Sequence, residues 1–180
     1  GGVGTGTIIL NAPSGCIFDV GGTAPTVLMN RIAGSGANSR NINGLADATS
    51  IAITSISTTQ ITLTISGASN NGATCRLTWQ NVRVRPNTGA AGSGSITSTG
   101  TSTISQVTSS STNWGTLTVV AGAFTKMQLL MPGETASPGS GSGKTGTPTA
   151  QTAGTSFNVT VNGVDAYWNI VSAVSDVAGI

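Results

Sequence analysis

The clearest signal along the chain is alternation with a period of two. Ile61, Leu63 and Ile65 alternate with Thr62, Thr64 and Ser66, giving one apolar face and one hydroxyl face. Phe157, Val159 and Val161 alternate in the same way with Ser156, Asn158 and Thr160, which predicts a half-buried strand. Between Ala73 and Arg85, Cys75, Leu77 and Trp79 point one way while Arg76, Thr78 and Gln80 point the other. The apolar parity then moves to Val82 and Val84, with Arg83 and Arg85 outward. A period-2 pattern that slips by one residue predicts a β-bulge near Gln80-Asn81, read here as a bend at a sandwich edge. Further strands are predicted at Thr7–Leu10, Cys16–Phe18, Thr26–Ile32 and Ser50–Ile56. Leu117–Leu130 reads as strand, turn, strand, with Phe124 entering the second. Asn70-Asn71-Gly72 predicts a hairpin turn, because Asn-Gly readily takes positive φ. No segment keeps a 3.6-residue period, so helices are expected to be few and short and the fold all-β.

Two stretches resist simple assignment. Asn87–Ser111 is almost wholly Gly, Ser, Thr and Ala, yet Ile96, Ile104 and Val107 punctuate it and Trp114 closes it. Spaced apolar residues argue for hydroxyl-faced strands over a linker, which puts the domain boundary near Val120 to Gly122. Pro132–Ala153 is polar, glycine-rich and longer than an ordinary connection. Its Gly141-Ser142-Gly143-Lys144-Thr145 lacks the GxxxxGK[ST] spacing and the flanking strand and helix of a phosphate-binding loop, so no nucleotide site is expected.

Composition changes the functional picture more than the structural one. The 180 residues include 26 glycines, 29 threonines and 22 serines, but only 12 charged side chains and no histidine. Disorder is not implied, because β-branched residues abound and the net charge is only +2. So weak a field does not support electrostatic nucleic-acid binding. Lack of histidine excludes Ser-His-Asp and Cys-His catalysis and histidine-based zinc sites. Asp19, Asp47, Glu134, Asp165 and Asp176 are scattered, with no calcium-loop spacing and no sign of a paired-carboxylate cleft. No catalytic, metal-binding or cofactor-binding residue is therefore assigned. No apolar run is long enough for a membrane span, and Gly1-Gly2-Val3 reads as the start of a processed or excerpted chain.

Cys16 and Cys75 lie far apart without metal-site spacing. Two readings stand: a pair of small buried hydrophobes, or one disulfide between facing strands. Arg76, Arg83 and Arg85 read as a solvated stripe that discourages edge pairing, rather than as an anion site. Asn158-Val159-Thr160 fits a glycosylation sequon but falls inside a predicted strand, and is taken as a chance match.

These segments also carry a resemblance. TIILNAPSG, GGTAPTV, GSGANSRNING, CRLTWQNVRVRP and STNWGTLT, from about Gly4 to Gly122, resemble a tandem repeat module of very large, secreted, multidomain bacterial surface proteins. Gln151–Asn169 (QTAGTSFNVTVNGVDAYWN) resembles the opening half of a bacterial immunoglobulin-like repeat. The resemblance implies an antiparallel β-sandwich over residues 1–121 and an incomplete immunoglobulin-like β-sandwich over 122–180. About seven strands make such a sandwich, whereas the second segment has room for three or four. Missing sequence or a neighbouring subunit would complete it. One departure is Cys16, which stands where the module carries an aromatic and so favours the disulfide reading.

The resemblance implies a structural, non-catalytic role at the cell surface, in a fibre or giant adhesin. Partners would be copies of the chain or adjacent repeats, without nucleic acid or membrane insertion. Trp79, Trp114, Phe124, Phe157 and Trp168 are the expected packing anchors. The alternative is a carbohydrate- or surface-binding module, with Tyr167 and Trp168 as the aromatic platform.

Overall fold

The computed structural model describes residues 3–34, 39–70, 72–90, 92–105 and 107–172. The fold is all-β, with antiparallel sheets of sandwich type. The chain divides into two compact units, one formed by Gly1–Arg85 and Gly94–Leu117, the other by Pro86–Ser93 and Thr118–Ile180. The division thus falls a few residues before the expected Val120–Gly122, and Pro86–Ser93 groups with the second unit.

The first unit is built from β1 (Gly6–Asn11), β2 (Cys16–Phe18), β3 (Thr26–Ala33), β4 (Thr49–Ala52), β5 (Ser55–Ile56), β6 (Gln60–Ile65), β7 (Thr74–Gln80), β8 (Val84–Pro86), β9 (Gly92–Thr99) and β10 (Gly115–Val119). One sheet has the order β10-β9-β1-β6-β5 and the second β4-β3-β7, with β2 and β8 forming a small ribbon. The alternation read from the sequence decides which side chains lie between the sheets. Ile8, Leu63 and Ile65 from the five-stranded sheet meet Val27 and Met29 of β3, with Ile42 as a plug; all are essentially fully buried. A second cluster gathers Leu10, Phe18 and Ile61. Trp79 packs against both clusters.

The plug was not legible in the sequence. Ile42 lies in the Gly/Ser/Asn loop, in a 3-10 turn at Ile42–Gly44. Asn43, at φ 55, clips this turn to the end of β6: its Oδ1 accepts from the Ser66 and Gly67 amides at 2.9 and 3.1 Å. Asparagine tolerates that left-handed conformation better than most residues, and its side chain fills the acceptor role.

Three expectations are corrected. Asn70-Asn71-Gly72 does not close a hairpin, because β6 and β7 belong to different sheets. The Ala73 amide donates to the Asn70 carbonyl at 3.0 Å, so the turn carries the chain across the core; Asn71 lies outside the described residues. Ser50–Ile56 is not one strand but β4 and β5, in opposite sheets. Ile51 packs into the first cluster and Ile53 and Ile56 into the second, so burial is satisfied by crossing between sheets at Ile53-Thr54. The parity slip after Gln80 is a change of partner rather than a bulge. β7 pairs with β3 and ends at Gln80, Asn81 takes φ 56, and β8 then pairs with β2. The register shift in this sheet lies instead in β3, between Arg31 and Ala33.

The second unit contains β11 (Lys126–Leu130), β12 (Glu134–Ala136), β13 (Lys144–Gly146) and β14 (Thr160–Val164). β11 pairs with β14 and β12 with β13, both antiparallel. The expected three or four strands are met by four among the described residues. The long Pro132–Ala153 stretch is accounted for in part by the β12–β13 hairpin. Gly139 lies against Thr88, and Asn169 Nδ2 donates to the Gly89 carbonyl at 2.8 Å, which ties Pro86–Ser93 to this unit.

Phe18 is fully buried, whereas Ile32, on β3, is 57% exposed. Phe18→Ala is expected to lower stability of the first unit by about 3–5 kcal/mol in urea titrations. Ile32→Ala should change it by about 0.5 kcal/mol or less.

Candidate functional site

Among the described residues, a densely hydrogen-bonded polar group forms a corner of the second unit that follows β14. Val164 ends the strand, and the chain turns through Asp165-Ala166-Tyr167-Trp168-Asn169 before an antiparallel bridge returns Ile170 to Val164. Asp165 is 3% exposed and organises the turn. Its Oδ1 accepts from the Tyr167 and Asn169 amides at 2.8 and 2.9 Å. Its Oδ2 accepts from the Gly122 amide and from Asn169 Nδ2, at 2.8 and 2.9 Å. Burial pushes the carboxyl pKa upward, but the Asn169 side chain and the amides of Gly122, Asn169 and Tyr167 outweigh it and lower the value to about 2.

The turn forces Trp168 to φ 71, a conformation costly for an aromatic residue. Its ring is held on both counts that matter: the Lys126 ammonium stands 3.5 Å from the ring centroid, and the Gly143 Cα lies so close that any Cβ there would collide with the indole. Lys126 also donates to the Ala166 carbonyl at 3.0 Å. Gly143 and Lys144, which superficially suggested a phosphate loop, are thus structural. The Lys144 ammonium pairs with Glu134 at 2.8 Å across the β12–β13 hairpin. That hydrogen bond, then the Met131 amide, hold the Glu134 carboxyl below its usual range. Both carboxylates of this unit that the structure describes are therefore engaged in holding backbone and side chains in place. Asp176 lies outside the described residues.

Tyr167 is the exposed aromatic of the corner, at 60%, standing against Gly89. Trp168 is half-buried, so the pair proposed as a binding platform separates into one available ring and one covered ring.

The β11–β14 ribbon inverts the usual distribution of polarity. On one face Gln128 is 2% exposed, donating to the Gly143 carbonyl at 2.7 Å and accepting from Asn162 Nδ2 at 3.0 Å. Leu130 and Val164 are buried on the same side. The opposite face presents Met127, Leu129 and Val161, each about half exposed, with Leu129 and Val161 directly paired across the ladder. The sequence placed the Phe157, Val159 and Val161 face half-buried in one strand from Ser156 onward. Instead β14 begins at Thr160, and Phe157 and Val159 are 46% and 41% exposed. Phe124, at 43%, likewise precedes β11 rather than entering it. Neither phenylalanine acts as a buried anchor. Beside Leu130 and Val164, the buried positions of this unit include the polar Gln128, Asp165 and Asn169, which hydropathy alone assigns outward.

Trp79 and Trp114 do pack in the first unit, each half-buried, and Trp114 Nε1 donates to Ser98 Oγ at 2.8 Å. Cys16 and Cys75 are free thiols, so the disulfide reading is not met. They occupy strands of different sheets, and Cys75 packs against the first cluster with its Sγ 3.9 Å from Asn41 Oδ1. Arg83 pairs with Asp19 at 3.7 Å in a solvated contact of small energetic weight. Among the described residues no group of three His, Cys, Asp or Glu side chains converges, and no helix is long and apolar enough to cross a membrane.

The chain matches no family model, no curated protein and no solved structure.

The Asp165 pKa lies below the ordinary 3.8, so its stabilising effect is complete above that value and is lost as pH falls from about 4 through about 2. Asp165→Asn is expected to cost the second unit about 2 kcal/mol at neutral pH. It should also flatten the acid limb of the stability profile, read by near-ultraviolet circular dichroism of Trp168.

Proposed function

We propose that this chain is a structural, non-catalytic module of a bacterial surface fibre or giant adhesin, acting outside the cell and assembling with copies of itself by strand sharing. The observation that carries the reading is the outward apolar face of the β11–β14 ribbon, with Met127 and Leu129 half exposed and Val161 beside them. Contiguous exposed apolar surface in a water-soluble unit is a mark of an interaction site. Chemistry supports the same side. The chain has no histidine, and the carboxylates of buried Asp165 and half-buried Glu134 are engaged by neighbouring amides and side chains. The outer side of the five-stranded sheet is uncharged, with Thr54–Thr64 and Asn11–Gln60 hydrogen bonds linking side chains across strands. Such a surface bears close approach of a like copy without charge repulsion.

Negative-stain electron microscopy of the purified chain, over a range of concentrations, is expected to show repeating filaments. Dispersed monomers at every concentration would overturn the assembly reading.

A second reading, a carbohydrate-binding module, is favoured by the exposed Tyr167 ring beside a rigid corner. Its expected outcome is retardation of the chain in gels containing bacterial cell-wall polysaccharide, abolished by Tyr167→Ala. Equal mobility with and without polysaccharide removes this reading.

A further inference from the structure

The first unit has an unfilled place for a strand, and the second unit carries a segment patterned to fill one. β7 is seven residues long and, among the described residues, lies at the end of its sheet, paired only with β3. It contains no proline, and Arg76 is its only charged residue, so the usual defences of an edge are thin. Its inward side chains Cys75, Leu77 and Trp79 stay half-buried rather than buried, although they point toward the core. Beside them opens an apolar cavity of about 150 Å³, also lined by Val3, Ile104 and Trp114. A strand laid along β7 would continue the sheet and place every second side chain over this cavity.

Every residue from Thr145 to Val161 is exposed. Within that run, Phe157, Val159 and Val161 recur at alternate positions, and residues 156–159 belong to no ladder. The segment carries no charge from Gln151 to Asn162, so Arg76 would meet no like charge there. Its three apolar side chains match in number and spacing the three that β7 turns inward.

We infer that residues 156–161 of one copy add as a strand to the free edge of β7 in a second copy, setting Phe157, Val159 and Val161 over the cavity beside Cys75, Leu77 and Trp79. The inference rests on the strand-sharing reading above and names its donor and acceptor. Because donor and acceptor are different surfaces, the contact is heterologous and propagates as an open filament unless the rotation closes a ring.

The native thiol of Cys75 supplies the test. In full-length chains carrying Cys16→Ser, cysteine is placed singly at Phe157, Val159 or Val161, and at the exposed Val120 as a control. Under mild oxidation each new bond joins two thiol sulfurs, with the two electrons and two protons passing to the added oxidant. At least one of the three donor variants is expected to give a ladder of dimers and higher species on non-reducing gels, and the Val120 variant none. In a second arm, Phe157→Asp with Val159→Asp alters exposed positions only. It is expected to abolish association in sedimentation velocity while leaving the far-ultraviolet circular dichroism spectrum of the folded chain unchanged.

A disulfide formed within single chains would overturn the inference in favour of closure onto the chain's own edge. Association that persists in the double aspartate variant, without any ladder, would overturn it while leaving the filament reading intact. A wild-type chain that stays monomeric throughout would remove both.

Discussion

The two larger sheets and the β11–β14 ribbon each carry an apolar face, and the architecture follows from what covers it. In the first unit two sheets cover each other. Ile8, Leu63 and Ile65 close against Val27 and Met29, and this contact fixes the strand register because a one-residue slip would turn each side chain to solvent. Chain crossings obey the same demand. Ser50–Ile56 divides between sheets, and β7 gives way to β8, where burial of the next apolar residue requires the opposite layer.

The second unit meets the demand differently. One face of the β11–β14 ribbon is covered, in part by a polar arrangement in which Asn162 donates to Gln128 and Gln128 donates to the Gly143 carbonyl. Buried amides of this kind cost little when satisfied and specify geometry sharply, since a shift of the β12–β13 hairpin would orphan them. The Asp165 corner works in the same way, exchanging the cost of a buried carboxylate and a left-handed Trp168 for four short hydrogen bonds. The apolar side chains of Met127, Leu129 and Val161 are left outward on the other face.

Much of the fold was legible because alternation is a local property. The β6 pattern, the inward Cys75, Leu77 and Trp79, and the β9 strand inside a tract of glycine and hydroxyl residues all follow from period and residue type. The candidate site was less legible. Asp165 and Asn169 lie within the Gln151–Asn169 stretch that carries the resemblance, but Gly122, 43 residues from Asp165, gives no local sign that it completes the corner. Gly143 is significant only because an indole lies against it. Phe124 and Phe157 pointed to anchors because large aromatics are usually buried, yet here polar groups occupy the interior positions nearby.

By itself, then, the sequence determined that the chain forms strands, where most of them run, and that no histidine is present. Those conclusions need only neighbours within a few residues. Which strands pair, which of two faces is covered, and whether a carboxylate is a reactive group or a structural one were decided by tertiary contacts. The physical reason is that an alternating strand offers two equivalent ways to be buried, and only the sheet laid against it selects one. Phe157, Val159 and Val161 make the point: their pattern specifies a buried edge, and the fold of the chain's own second unit leaves that edge uncovered.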